Sequence, residues 1–296
     1  MYTGEQVYEH DGSEFVVVEG AKLEGGPMSR YETITVERAG PIATLMLNRP
    51  HAANALNRTL LRESVEALDS FANEPTLRVV IITGTGTRHF SGGADLRDIV
   101  SATEAYERFI PARAIWDVVE ALPVPVIAAM NGTAMGGGLE LALASDIRIL
   151  SDAAKVGLPE VLFGALPAGG GTARLPRIIG LGRAKEMIML GRTIDAATAL
   201  SYGIVHEVVP QPDVLSRANE IAAEFARLAP FAVRSAKLLL TEGPNMDRHT
   251  ALQFERVVIA NMATGDEQTA ARDEAAAASE TYGRLFDKGG RSVRKS

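Results

Sequence analysis

Short unbroken apolar runs alternating with helical patterns constrain this chain more than any other feature. Arg78-Val79-Val80-Ile81-Ile82, residues 124–129 and residues 147–150 read as strands without a polar face. Such strands are stable only in a sheet covered on both sides. Asn57 stands as an N-cap before a helix carrying Leu61, Val65, Leu68 and Phe71 at steps of four, three and three, and a second helix starts over 138–144. Two β-rich runs, 33–37 and 42–47, flank Arg38-Ala39-Gly40-Pro41 and read as a hairpin. The expectation is an α/β fold whose strand-end loops are available to a ligand.

Both ends of the chain break this pattern. Residues 1–27 hold one short candidate strand, Glu14-Phe15-Val16-Val17-Val18-Glu19, before Gly25-Gly26-Pro27. They are expected to form a poorly ordered extension. After Ile204-Val205-His206-Glu207-Val208-Val209 no further strand is evident, and helical patterns cover 213–228, 230–241, 247–263 and 267–286. Three regions follow: an extension over 1–30, a core over 31–212 and a helical layer over 213–296, serving as a lid or an oligomer contact.

Composition removes several function classes. The net charge of −7 and the shortness of the basic clusters speak against nucleic acid as a partner. With no cysteine there is no disulfide and no thiolate ligand or nucleophile, and the five histidines are scattered outside metal-ligand spacing, so no metal is expected. No apolar run approaches the roughly 20 residues of a membrane span, and the polar, acidic start does not read as a secretory signal. Cytoplasm is the expected location.

Two glutamates carry the functional argument. Glu140 and Glu160 interrupt apolar stretches beside glycine-rich turns, in Gly136-Gly137-Gly138-Leu139-Glu140-Leu141-Ala142 and Gly157-Leu158-Pro159-Glu160-Val161-Leu162. A carboxylate in such surroundings is costly unless it is paired or used in chemistry. The loops His89-Phe90-Ser91-Gly92-Gly93-Ala94-Asp95-Leu96 and Asn131-Gly132-Thr133-Ala134-Met135-Gly136-Gly137-Gly138 each precede a helical start. Each is able to aim one unsatisfied N–H at a single developing oxyanion, although either loop alone reads more readily as a structural turn. The glycines of 164–172 lack the endings of nucleotide-binding loops. Ser91 lies outside a nucleophile elbow, Asp146 reads as structural, and Trp116 reads as a core or pocket-wall residue.

Taken in order, these segments resemble the enoyl-CoA hydratase/isomerase (crotonase) superfamily over about residues 31–210. The resemblance rests on Leu47-Asn48-Arg49-Pro50 with Asn54-Ala55-Leu56-Asn57, Ser91-Gly92-Gly93-Ala94-Asp95-Leu96 and Pro125-Val126-Ile127-Ala128-Ala129-Met130-Asn131-Gly132. It continues through the two glutamate segments and Gly169-Gly170-Gly171-Thr172-Ala173-Arg174-Leu175. The resemblance implies a spiral of ββα units with a C-terminal helical trimerisation region, assembled as a homotrimer or hexamer. It implies an acyl-CoA thioester as substrate, coenzyme A being part of that substrate and no separate cofactor being required. Glu140 and Glu160 match the acid/base pair, and the backbone N–H groups of Ala94 and Gly137 match the oxyanion hole. CoA would be bound along His51, Ala52, Ala53, Ser91, Gly92, Gly93, Asp95 and Leu96. The implied activity is hydration of a 2-enoyl-CoA, with isomerisation, another crotonase reaction such as hydrolysis or decarboxylation, or an inactive CoA-binding paralogue as alternatives. His51 stands where a lysine is frequent, and residues 275–286 depart from the family's usual CoA-holding tail.

Overall fold

A computed structural model describes residues 5–10, 13–18, 30–95, 97 and 114–262, the first two stretches as backbone alone. Strand β1 (Glu5–His10) pairs antiparallel with β2 (Ser13–Val18) in a two-stranded sheet. The strand expected near 14–19 is β2; its partner was not foreseen.

Strands β3 (Ile34–Ala39) and β4 (Ile42–Leu47) form the expected hairpin, turning at Gly40, whose φ of 55° suits glycine. Helix α1 (Arg58–Ala72) opens as the sequence implies, with Asn57 Oδ1 accepting from Leu60 N at 2.9 Å. Its buried stripe runs through Leu60, Ala67, Leu68 and Phe71, with Leu61 and Val65 packed at the margin. The same helix buries Glu63, whose carboxylate accepts from Glu32 N (3.0 Å), Thr33 N (2.8 Å) and Thr33 Oγ1 (2.6 Å). That fastens the entry to β3 onto α1.

Next come β5 (Val79–Gly84), β6 (His89–Ser91), α2 (Ile115–Ala121), β7 (Val126–Met130), β8 (Thr133–Met135), α3 (Gly137–Ala144), β9 (Ile147–Ser151) and β10 (Lys155–Gly157). Helices α4 (Gly171–Ile179) and α5 (Leu181–Met189), β11 (Thr193–Asp195), α6 (Ala196–Tyr202), β12 (Glu207–Val209) and α7 (Val214–Ala226) follow. One sheet runs β12-β9-β7-β5-β4-β3, parallel except at the β3–β4 edge; a second runs β11-β10-β8-β6. Three strands of the first sheet pass the chain to a short strand of the second, β5 to β6, β7 to β8 and β9 to β10. This is the spiral of ββα turns. The second sheet's strands span only three residues each, too few for a periodic signal, and the sequence reads β6 and β8 as parts of loops.

The apolar runs are unbroken because both faces of the long sheet are covered. Leu45, Val80, Ile82, Ala128 and Met130 belong to one core cluster with α1. The alternate residues Val79, Ile81, Ile127, Ala129 and Ile149 pack with Val214, Ala218 and Ala222 of α7. The helix expected to begin the C-terminal layer therefore serves the core: the first compact unit reaches Ala226, not residue 212. Asp146 is structural, but its bonds cross to the neighbouring strand instead of staying local. Its Oδ2 accepts from Val126 N at 2.7 Å, and its N–H donates to Val126 O at 2.9 Å.

The second unit begins at Arg227. It contains α8 (Pro230–Glu242) and α9 (Arg248–Met262), close to the expected 230–241 and 247–263; the helix expected at 267–286 lies outside the described residues. These helices leave Leu240 (76%), Val257 (56%) and Ile259 (52%) exposed. Among the described residues, no helix is long and apolar enough to cross a membrane.

Candidate active site

The site is built where β4, β5 and β7 end. Asn131, following β7, donates through Nδ2 to Gly84 O (2.7 Å) and Gly86 O (2.5 Å), and accepts at Oδ1 from Gly84 N (3.1 Å). Asn54, fully buried, accepts from Arg49 N at 2.9 Å and donates to Thr85 O and His89 O, each at 3.0 Å. Ala53 and Asn54 both adopt left-handed backbone, φ 54° and 51°. Asparagine tolerates this region, whereas alanine is strained there, so the surrounding bonds must hold the turn.

The loop of Ser91, Gly92 and Gly93 is stitched to that turn. Gly92 N donates to Ala53 O (2.8 Å), Ser91 Oγ to Asn54 O (2.9 Å), and Leu56 N to Gly93 O (2.7 Å). His51 is exposed, Ala52 and Ala53 are partly so, and Gly92 lies exposed beside them. The two segments matched to CoA thus share one face. Ser91 and Asp95 turn their polar atoms inward. Asp95, 5% exposed, binds Arg97 Nε at 3.0 Å and Arg49 Nη2 at 2.9 Å. Hydrogen bonds from Arg97 outweigh burial and, with Arg49, hold its pKa down at about 2. Leu96 lies outside the described residues.

Ala94 and Gly137 are brought together by close packing of backbone. A Cβ on Gly93, whose φ is +92°, would lie 2.7 Å from Met135 O and 3.4 Å from Gly137 N; one on Gly137 would lie 3.9 Å from Ala94 N. Gly137 opens α3, so its N–H has no place in the helical ladder. Neither it nor Ala94 N–H engages an acceptor among the described residues. Trp116 Nε1 donates to Gly137 O at 3.0 Å, which fixes the peptide from behind. Trp116 is buried as the sequence suggested, but this hydrogen bond was not legible there.

Glu140 follows within the first turn of α3 and is 2% exposed. Its Oε1 accepts from Gly169 N (2.8 Å) and Gly171 N (2.7 Å). Burial pushes its pKa up to about 7; the charge of Glu160 adds to the rise, while the two N–H groups and Arg174 oppose it. Glu160 begins the short 3₁₀ turn Glu160–Phe163 and is raised by burial as well. Its Oε2 is buried with no hydrogen-bond partner among the described residues. A buried carboxylate oxygen left bare is costly, and such groups concentrate at functional sites. The charge of Glu160 thus disfavours a second charge on Glu140.

Gly136 leaves room for the Glu160 carboxyl. Its backbone (φ 50°, ψ −128°) suits glycine, and a Cβ there would lie 2.9 Å from Glu160 Oε1. Gly136→Ala therefore strains the turn and displaces Glu160. Turnover should fall by roughly 10- to 100-fold, with a stability cost of about 1–3 kcal/mol. Steady-state kinetics and a denaturant melt of the variant check both; unchanged values would refute the placement.

Comparison with known proteins gives these features a family. Residues 37–275 match the family description "Enoyl-CoA hydratase/isomerase". The chain is 39% identical over 227 residues to a crotonyl-CoA hydratase of Syntrophomonas wolfei, covering 76% of this chain and 87% of that protein. It is 39% identical over 224 residues to a short-chain-enoyl-CoA hydratase of Clostridium acetobutylicum, covering 75% and 86%. The crystal structure of an enoyl-CoA hydratase from Bacillus anthracis superposes with a TM-score of 0.80 at 40% identity, covering 85% of this chain and 97% of that one. With the ββα spiral, the paired glutamates and the converging glycine loops in place, the chain belongs to the enoyl-CoA hydratase/isomerase family.

Proposed function

We propose that this protein is an enoyl-CoA hydratase, a hydro-lyase adding water reversibly across the double bond of a 2-enoyl-CoA. The observation that carries the reading is the pair Glu140 and Glu160, both with raised pKa values, beside the free N–H groups of Ala94 and Gly137. Hydration of a conjugated thioester accumulates negative charge on the thioester oxygen. Two preorganised N–H donors stabilise that charge, and removal of one such donor typically costs about 3 kcal/mol. One carboxylate takes a proton from water as its oxygen bonds to C3, and the other carboxyl gives a proton to C2. The pair thus begins and ends with one proton, and the proton balance closes without a metal or redox cofactor.

The CoA portion runs along His51, Ala52, Ala53 and Gly92, the exposed part of the stitched turn. The enzyme acts in the cytoplasm, a reading supported by the absence of cysteine and the fit to a reducing compartment. It assembles as a homotrimer or a pair of trimers, because Leu240, Val257 and Ile259 of the second unit are left exposed in the single chain. Sedimentation at micromolar concentration should give three subunits or a multiple; a clean monomer would refute this assembly. The activity itself is tested by a panel of enoyl-CoA thioesters of different chain length, with β-hydroxyacyl-CoAs in the reverse direction. Failure to hydrate any member would remove the assignment.

A further inference from the structure

Arg174 occupies the first turn of α4 and is 11% exposed, yet hydration as described leaves it without a role. Its side chain folds back over Gly170, occupying the space where a Cβ would stand, and Nη1 donates to Gly169 O at 2.7 Å. Its other edge grips Glu120 of α2 through two bonds, Nε to Oε1 at 3.1 Å and Nη2 to Oε2 at 2.7 Å, with Asp117 Oδ1 at 3.5 Å. Gly169 and Gly171, on either side of that anchor, supply both N–H groups that hold Glu140 Oε1. Helix α2 also sends Trp116 to Gly137 O, and the indole packs where a side chain on Gly169 would lie.

We propose that Arg174 is a positioning residue for Glu140: braced on Glu120, it fixes the Gly169–Gly171 turn that orients the carboxylate and sets a permanent positive charge behind it. The inference deepens the hydratase reading and rests on Glu140 being one of the proton-transfer pair. An arginine suits this place because its planar fork holds a carbonyl and a carboxylate at once, which an ammonium group does not reproduce. Among the described residues, the charged groups that face Glu140 are Glu160, from its 3₁₀ turn, and Arg174 itself, with Asp117 and Glu120 of α2 behind Arg174. Loss of the arginine removes a positive charge and loosens two N–H donors. Both changes favour the protonated carboxyl.

The test uses full-length Arg174→Met and Arg174→Lys, labelled with ¹³C at the glutamate carboxyl, the Glu140 resonance being assigned by its loss in Glu140→Gln. Arg174→Met should raise the Glu140 midpoint by about one pH unit. It should also lower kcat for 2-enoyl-CoA hydration about 10- to 100-fold while KM changes less than about threefold. Arg174→Lys should bring the midpoint only part of the way back toward wild type, because the charge is retained while the two N–H donors stay loosened. Its kcat should stay depressed, because the fork is lost. A wild-type midpoint in folded Arg174→Met, or a lysine variant that titrates like the methionine one, overturns the inference. If Arg174→Met does not fold, Glu120→Gln takes its place: release of the brace should lower kcat with KM retained, and an unchanged kcat overturns the inference. The titration needs no turnover, so it decides this point even if wild type proves inert toward 2-enoyl-CoA, a result that would fall on the hydratase reading alone.

Discussion

Replacing either Glu140 or Glu160 by glutamine should lower hydration of a 2-enoyl-CoA by at least about 100-fold, the lower bound for loss of a general acid/base group. Both groups are needed because water and alkene exchange two protons with the protein in one addition, whereas moving a double bond can be managed by one carboxyl carrying a single proton. Glutamine keeps the volume of the side chain, and its carbonyl oxygen can still accept from Gly169 N and Gly171 N as Glu140 does. Binding of CoA ligands should therefore survive both substitutions, since the turn around Ala53 and Gly92, proposed to carry the CoA portion, is held by bonds that do not involve either glutamate. Lost turnover with retained affinity, measured by calorimetry, marks missing proton transfer. Lost affinity in both variants would instead point to a collapsed pocket.

The second large effect is on stability, and its sign is opposite. Glu140 titrates at about 7 in the folded protein against 4.5 for an ordinary glutamate. Between those pH values the folded state binds the extra proton. The free energy of unfolding contributed by this group therefore falls as pH rises from about 4.5 to about 7, and stays low above. Glu140→Gln removes that penalty. At pH 8 the variant should be more stable than wild type by on the order of 1–3 kcal/mol, with the difference closing toward pH 4.5. Denaturant midpoints at the two pH values measure it. A variant less stable than wild type at pH 8, or a difference that ignores pH, would contradict the burial assigned to this carboxyl. The expected trade, a steadier fold with no turnover, is common where a site is held in a costly electrostatic state.

Some of this was legible in the sequence for identifiable reasons. Asn57 as N-cap, the hairpin at Gly40 and the long buried strands all depend on contacts within a few residues or on a period that a window can show. Glu140 and Glu160 stood out because a charge in an apolar run has few structural explanations. What was not legible depends on partners far along the chain. The three-residue strands of the second sheet exist only because β6, β8 and β10 lie side by side. The place of α7 on the sheet rests on Ala218 and Ala222 meeting Ile81 and Ile127, a match that helical spacing alone does not reveal. Ser91 and Asp95 sit within a motif matched to CoA binding by resemblance, yet their side chains brace the loop through Asn54, Arg49 and Arg97. Arg174 was visible as part of a glycine-rich segment, but its meaning required Glu120 and the Gly169 carbonyl, contributed by other parts of the chain.

The most direct measurement is the product that wild type makes from crotonyl-CoA and, separately, from a 3-enoyl-CoA, each identified by mass. Crotonyl-CoA should gain the mass of one water to become the 3-hydroxyacyl thioester, and Glu140→Gln and Glu160→Gln should largely abolish this gain. A wild-type enzyme that leaves crotonyl-CoA unchanged while converting the 3-enoyl thioester to a product of identical mass would contradict it, and the protein would then be an isomerase.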